Sequence, residues 1–270
     1  MKTENNISKK VALLIPAYNC QEALMHTLST LPTEMALYIL VVDDGSEPPI
    51  SLPETINNHE ITLRRKLKNS GIEDTLRIGV KILTELGFEY IARIDAGDIA
   101  INSRFIKQFN FLEANKKIGV VGSQVQIVAS WDRQPLFTLT PPCSDREIRS
   151  KIFFRSCYLH PAWMLRTSAL MEAGGYRDEY IAAEDLDLFL RVMSVSEVAN
   201  MPEILLICEM NETGISSKKR HRQIISTLKL QLSSECTGIY YLIGLLKNII
   251  HFFVPYKLLI SIKKIFIGIR

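Results

Sequence analysis

The sequence predicts an α/β fold, a mostly parallel central sheet flanked by helices, and three observations predict it. Short apolar, β-branched runs alternate with helix-length segments through the first half of the chain. Two acidic clusters, Asp43-Asp44-Gly45-Ser46 and Asp95-Ala96-Gly97-Asp98, each follow such a run (Tyr38 to Val42 and Phe88 to Ile94), about one βαβ unit apart. The 270 residues, 47% hydrophobic, suffice for one large core plus an appendage. Ligands of open parallel sheets sit outside the carboxyl ends of the strands, so both clusters can face one pocket for a phosphorylated, nucleotide-bearing substrate.

Taken in order, Val11 to Ile15 is a buried strand closed by Pro16, and Gln21 to Leu31 reads as a helix ahead of Pro32. Ile39 to Val42 is the second strand. A loop with Pro48, Pro49 and Pro53 leads to an Ile61-Thr62-Leu63 strand and a helix from about Glu73 to Leu86, ended by Gly87. This is βαβαβ order, and right-handed crossovers make the sheet mostly parallel. Asn102-Ser103-Arg104 opens a helix to about Ala114, and Ile118 to Val128 is a strand. After an irregular stretch with Pro135, Pro141 and Pro142, helices are predicted over Asp145 to Phe153, Ser168 to Ala173 and Glu184 to Val195.

A net charge of +3, with no basic stripe interleaved with aromatics, argues against nucleic acid. Cysteines 20, 143, 157, 208 and 236 are odd in number and lack a CxxC pair, which predicts free thiols in a reducing compartment. The apolar stretch before Pro16 is too short for the core of a signal peptide, so export by that route is not expected. A domain over 1–215 and an extension over 216–270 are predicted, because the chain changes character after Gly214. Ser216 to Arg222 is basic, no acidic residue follows Glu235, and the apolar runs Ile239 to Ile250 and Leu258 to Ile267 carry only lysines. Lys247, Pro255 and Lys257 keep these runs below the ~18–20 residues that cross a bilayer. Helices of this composition either lie in the interface of an anionic membrane or pack on the domain or a second subunit.

Several motifs in order carry a resemblance: Ile15-Pro16-Ala17-Tyr18-Asn19, Val41-Val42-Asp43-Asp44-Gly45-Ser46, Asn69-Ser70-Gly71, Arg93-Ile94-Asp95-Ala96-Gly97-Asp98, His160-Pro161, Gly174-Gly175-Tyr176 and Glu184-Asp185-Leu186-Asp187. Over about residues 9 to 215 the chain resembles the family 2 glycosyltransferases of the GT-A fold. It is most similar to members that build bacterial surface polysaccharides such as O-antigen and capsule.

The resemblance implies a nucleotide-diphospho-sugar donor held by Pro16, Tyr18, Asp44, Asn69, Arg93 and Asp95. Tyr18 either stacks on the base or packs under the sheet. Asp44 can accept from a base N–H or a ribose hydroxyl while Asp43 fixes the turn. Asn69 belongs to a donor loop or only starts a helix, and Arg93 either neutralises diphosphate or pairs with a carboxylate. His160 and Glu184 fall on the acceptor side by the same resemblance, although an isolated histidine is as readily structural. Asp185 takes the place of the catalytic base, with helix capping as the alternative for the whole Glu184-Asp185-Asp187 group.

The family's donor loop usually reads Asp-x-Asp, and its second Asp binds a divalent cation, manganese or magnesium. Here that position is Gly97, which leaves Asp95 and Asp98 as the metal candidates. A Tyr-Arg-x-His segment of many relatives is replaced by Cys208-Glu209-Met210-Asn211. The implied activity is inverting transfer of a sugar to a lipid-linked (polyprenyl diphosphate) saccharide, by a cytoplasmic protein peripheral on the inner face of the cell membrane. A non-catalytic nucleotide-sugar-binding or scaffolding subunit is the alternative, supported by Gly97 and Asn211. A nucleotidyltransferase is disfavoured because the loop after the first strand is Ala17-Tyr18-Asn19, with no Gly-rich phosphate cradle.

Overall fold

The structure, a computed structural model, describes residues 10–101, 103–130, 132–180, 182–210 and 220–254. Asn211, most of the basic stretch and the Leu258 to Ile267 run lie outside the described residues. The elements are β1 (Val11–Ala17), α1 (Gln21–Ser29), β2 (Tyr38–Asp43), β3 (Thr55–Ile56), β4 (His59–Arg65), α2 (Ile72–Glu85), β5 (Tyr90–Arg93), β6 (Ile99–Ala100) and α3 (Arg104–Ala114). They continue with β7 (Ile118–Val128), β8 (Pro135–Leu139), α4 (Asp145–Lys151), β9 (Met164–Arg166), α5 (Thr167–Glu172), α6 (Glu184–Val195), β10 (Glu197–Glu209), α7 (Arg220–Ser233) and α8 (Ile239–Phe253).

Among the described residues ten strands form one mixed sheet, ordered β3-β4-β2-β1-β5-β9-β7-β10-β6, with β8 on β7. The predicted βαβαβ half is parallel, β4-β2-β1-β5, and β7 pairs with β10 in parallel as well. Short β9 lies antiparallel between β5 and β7 and joins the two halves.

Strand periodicity explains why the sheet is covered on both faces. Val11, Leu13, Ile15, Ile39 and Val41 enter one core with Leu24 and Leu28 of α1, while Ala12, Leu14, Leu40 and Val42 enter the other with Leu76, Val80 and Leu83 of α2. Each such leucine is worth about 1.5–3 kcal/mol on burial. The sheet is thereby fixed in register, so its strand ends are fixed in space.

Three strands have no clear signature in the sequence. β9 has three residues, too few to show a period. β10 contains Pro202 and Glu203, both exposed, and the ladder to β7 shifts register between Met201 and Ile204. Proline is tolerated there because the strand bulges. β8 begins at Pro135 within the stretch whose prolines read as loop.

The two C-terminal helices pack on each other and on the domain. Gln231 joins Asn248 (3.0 Å) and the Tyr241 carbonyl (2.9 Å), and Tyr241 meets Phe153 edge-on (6.1 Å). All five cysteines are free.

Candidate functional site

The parallel register sets Ala17 beside Asp43, so the loops after β1 and β2 leave the sheet together. Asp43, fully buried, accepts from the Ser46 amide (2.9 Å) and hydroxyl (2.5 Å) and fixes the turn. Asp44 is 4% exposed, and its carboxylate accepts from the amides of Ser70 (2.9 Å) and Gly71 (3.0 Å) and pairs with Lys66 (2.6 Å). With four acceptor positions on a carboxylate, one remains, on Oδ2. Asp44 therefore first holds the 66–71 loop in place, and only that last position is left for a ligand. Gly45 is required beneath this loop: its φ is +74°, and a Cβ would lie 2.7 Å from the Lys68 carbonyl carbon.

Tyr18 projects from the same edge, 49% exposed, rather than under the sheet. The neighbouring turn is tied down: the Asn19 amide donates to Ser46 Oγ (2.8 Å) and Asn19 Oδ1 accepts from the Glu47 amide (2.9 Å). Pro16 is half-buried within β1, and Asn69 is exposed on the 66–71 loop.

At the end of β5, Arg93 is 3% exposed and donates to Asp95 through Nη2 (2.6 Å). Its backbone is held by Arg104, which is entirely buried and donates through Nη2 to the carbonyls of Arg93 (2.7 Å) and Pro161 (2.9 Å). Burial lowers the Arg104 guanidinium to about 10. This buried arginine locks the His160-Pro161 turn to the strand that carries Arg93. His160 is 7% exposed, its Nε2 bonds the Tyr176 hydroxyl (2.6 Å), and its ring meets Trp163 (4.6 Å). Burial, with Arg93's charge adding to it, holds the imidazole well below its ordinary value and thus neutral. Gly174-Gly175 accordingly serves to bring Tyr176 onto His160.

The two metal candidates are separated by their surroundings. Asp95 has a side chain 42% exposed and paired with Arg93. Asp98 is 8% exposed, hydrogen-bonded to the Cys208 thiol, and pushed up to about 7 by burial and then by Asp95's charge. The backbone at Gly97 has φ +103°, a region L side chains rarely adopt, and its amide donates to Thr27 Oγ1 (2.8 Å). The departure from Asp-x-Asp is thus built into the main chain. Among the described residues no group of three or more His, Cys, Asp or Glu side chains is arranged to hold a metal. Of the two, Asp95 is the carboxylate open to a ligand and Asp98 the enclosed one.

Three carboxylates open α6, and their partners tell them apart. Asp187 is neutralised by Arg191 (2.5 Å) and faced by Arg177 (3.7 Å). Glu184 is 8% exposed with an unpartnered Oε2, and burial followed by Asp185's charge pushes it up to about 7. Asp185 is half-buried and accepts from the Leu186 amide (2.7 Å). Burial raises its carboxyl, and that amide and Arg93 oppose the rise. α6 has no side-chain cap, so these acids meet the positive helix end directly.

Electrostatic reach ties the parts together: Asp185 senses both Arg93 and Asp95, Glu184 senses Glu73, and Cys20 senses Asp43 and Asp95. The ends of β1, β2 and β5 and the start of α6 thus border one region. Sequence reading missed Lys66, which stands just past the end of β4 where the strand-end rule that singles out Asp44 would have found it. It also missed Glu73, whose carboxylate accepts from the Ala182 amide (3.4 Å) and links the start of α2 to the turn before α6. Arg104 carries no such signal.

The family model for glycosyl transferase family 2 matches residues 12–174, more than half of the chain. The amylovoran biosynthesis glycosyltransferase AmsE of Erwinia amylovora is 26% identical over 185 residues, 65% of this chain and 67% of that protein. The O-antigen biosynthesis glycosyltransferase WbnJ of Escherichia coli is 25% identical over 112 residues, 42% of each. S. aureus TarS 1-349 in complex with UDP-GlcNAc superposes with a TM-score of 0.62 at 17% identity, over 90% of this chain and 72% of that one. The mannosyltransferase PcManGT from Pyrobaculum calidifontis, in complex with GDP-Man and Mn2+, gives 0.58 at 13% identity, over 88% and 68%. These structures share the mixed sheet and its flanking helices, the GT-A fold. On that fold, the family match running from β1 past the His160-Pro161 turn covers more than half of the chain, and this glycosyltransferase belongs to glycosyl transferase family 2.

Proposed function

We propose that the protein is an inverting glycosyltransferase that moves one sugar from a nucleotide diphosphate to a lipid-linked saccharide during assembly of a bacterial cell-surface polysaccharide, at the inner face of the cell membrane. The observation that carries this reading is the position of Asp185, the carboxylate of α6 that is neither paired with an arginine nor fully enclosed, within electrostatic reach of Arg93 and Asp95. AmsE and WbnJ, named for amylovoran and O-antigen biosynthesis, support the product class.

In this scheme Tyr18 stacks on the base, and the Asp44-ordered loop with Asn69 lines the nucleoside. Arg93 neutralises the diphosphate. Asp185 accepts the proton of the acceptor hydroxyl as its oxygen bonds to the anomeric carbon, and the bond from that carbon to the diphosphate oxygen breaks on the opposite face. Burial makes the Asp185 carboxylate a stronger base than a solvated one. His160, neutral and bonded to Tyr176, shapes the acceptor side rather than moving a proton. A divalent cation, if required, would be held by Asp95 and would supply positive charge for the leaving diphosphate.

The test is a panel of nucleotide sugars with membrane extract as acceptor, with manganese or chelator, followed by NMR of the new anomeric centre. Transfer with inversion is expected. Retention of configuration, or donor binding without turnover of any sugar, would contradict the proposal, and the second result would favour a scaffolding subunit.

A further inference from the structure

The described part of the C-terminal extension is a helix pair built inside out. On α8, Asn248 is 9% exposed and donates to Gln231, and the Lys247 ammonium donates to the Phe154 carbonyl, so these polar groups face the protein. Gly244 lies against the Phe153 backbone on the same side. The opposite side shows Ile239, Leu242, Ile243, Leu246, Ile250 and Phe253, between 41% and 77% exposed. Their i, i+3, i+4, i+7 spacing makes one continuous apolar stripe with no charge in it. Water is a poor solvent for such a face, and monomeric soluble proteins rarely leave one uncovered.

Neighbouring α7 exposes Arg222, Ile225, Lys229 and Leu232, also at helical spacing, which alternates cations with apolar groups. No acidic residue follows Glu235 in the chain. At 15 residues α8 is about 22 Å long, short of the ~30 Å hydrocarbon thickness. No described helix is long and apolar enough to cross a membrane.

We infer that the outward face of α8 is the surface by which this protein lies on an anionic lipid bilayer, with the helix axis in the membrane plane and the Ile243–Leu246–Ile250 stripe in the acyl boundary. The inference deepens the membrane reading above and rests on it for its purpose. Charge selects lipid over a second copy: anionic headgroups neutralise the cations of α7, whereas an identical partner would oppose them with its own.

The experiment is flotation of the full chain with vesicles of phosphatidylethanolamine and phosphatidylglycerol, compared with phosphatidylcholine alone. Binding to the anionic vesicles is expected, and Leu246→Glu with Ile250→Glu lowers the partition coefficient about tenfold or more. Leu86→Glu, on an exposed leucine outside the hairpin, leaves it unchanged. Unchanged thermal unfolding of the double variant shows that it is folded. Ile243→Trp is a second reading: its emission shifts to the blue on vesicle addition and is quenched by brominated acyl chains. Equal flotation of wild type and double variant, or an Ile243→Trp spectrum indifferent to lipid, overturns the inference. So does a lipid-free dimer, seen by light scattering, that the double variant dissociates. Turnover with detergent-dispersed acceptor is measured alongside. Lost vesicle binding with turnover intact removes only the membrane seat, and vesicle binding without turnover removes only the transferase mechanism.

Discussion

Replacing Asp44 by alanine deletes three interactions at once: the Lys66 ion pair at 2.6 Å and the acceptor for the Ser70 and Gly71 amides at 2.9 and 3.0 Å. Hydrogen bonds to a charged group contribute about 1.5–3 kcal/mol each. Two circumstances lower the sum. Lys66 keeps Asp74 (2.8 Å) and Thr75 Oγ1 (3.2 Å), so its charge is not stranded, and Ser70 is exposed enough for water to reach its amide. The expected loss is thus about 2–4 kcal/mol, below the ~3–5 kcal/mol of a fully broken buried pair. Urea unfolding measures it as a fall in midpoint at constant slope. Lys66→Met in a double-mutant cycle isolates the pair, with an expected coupling of about 1–3 kcal/mol. Asp44→Asn, which keeps an acceptor oxygen, falls between. An Asp44→Ala loss under ~0.5 kcal/mol, or strict additivity with Lys66→Met, would refute the assignment of Asp44 as the anchor of the 66–71 loop.

Glu184 makes a pH prediction. Its folded carboxyl is raised to about 7 from 4.5, so the native state holds this proton more tightly than the unfolded chain, and the associated stability is complete below about pH 4.5 and lost as pH rises through 7. Glu184→Gln should therefore flatten the decline in unfolding midpoint between pH 5 and 8, and an unchanged slope would count against an enclosed, unpaired carboxylate. Restoring the family's carboxylate by Gly97→Asp should not create a metal site: at φ +103° it costs roughly 1–3 kcal/mol, seen as a lower unfolding midpoint with no gain in manganese affinity by calorimetry. Tighter manganese binding in that variant would show that the loop can rearrange.

Much of this was legible in the sequence because it depends on local periodicity. The unbroken apolar run Val11 to Ile15 reads as a strand buried on both faces, and the acidic clusters that directly follow such runs put carboxylates at the sheet edge. The order of motifs from Pro16 to Asp185 then gave the family. Partnerships were not legible. Asp44 looked like a free acceptor, and only the fold brings the 66–71 loop to it. Arg104 looked like a helix start, and nothing local says that it is wholly buried and grips the carbonyls of Arg93 and Pro161. Asp98 was legible as an acidic residue after a strand, but not its contact with Cys208, because β10, which brings Cys208 there, was concealed by Pro202. On α8 the pattern shows two faces, but contact with Phe153 and Gln231 decides that the polar one is inside.

The most direct measurement separates binding from chemistry at Asp185. Donor affinity by calorimetry and single-turnover transfer are compared for wild type and Asp185→Asn. The neutral amide cannot accept the acceptor's proton, so kcat should fall by about 10²–10⁴ while the donor Kd stays within a few fold. Transfer at a near wild-type rate by Asp185→Asn would contradict the account, as would a donor affinity that collapses together with the rate.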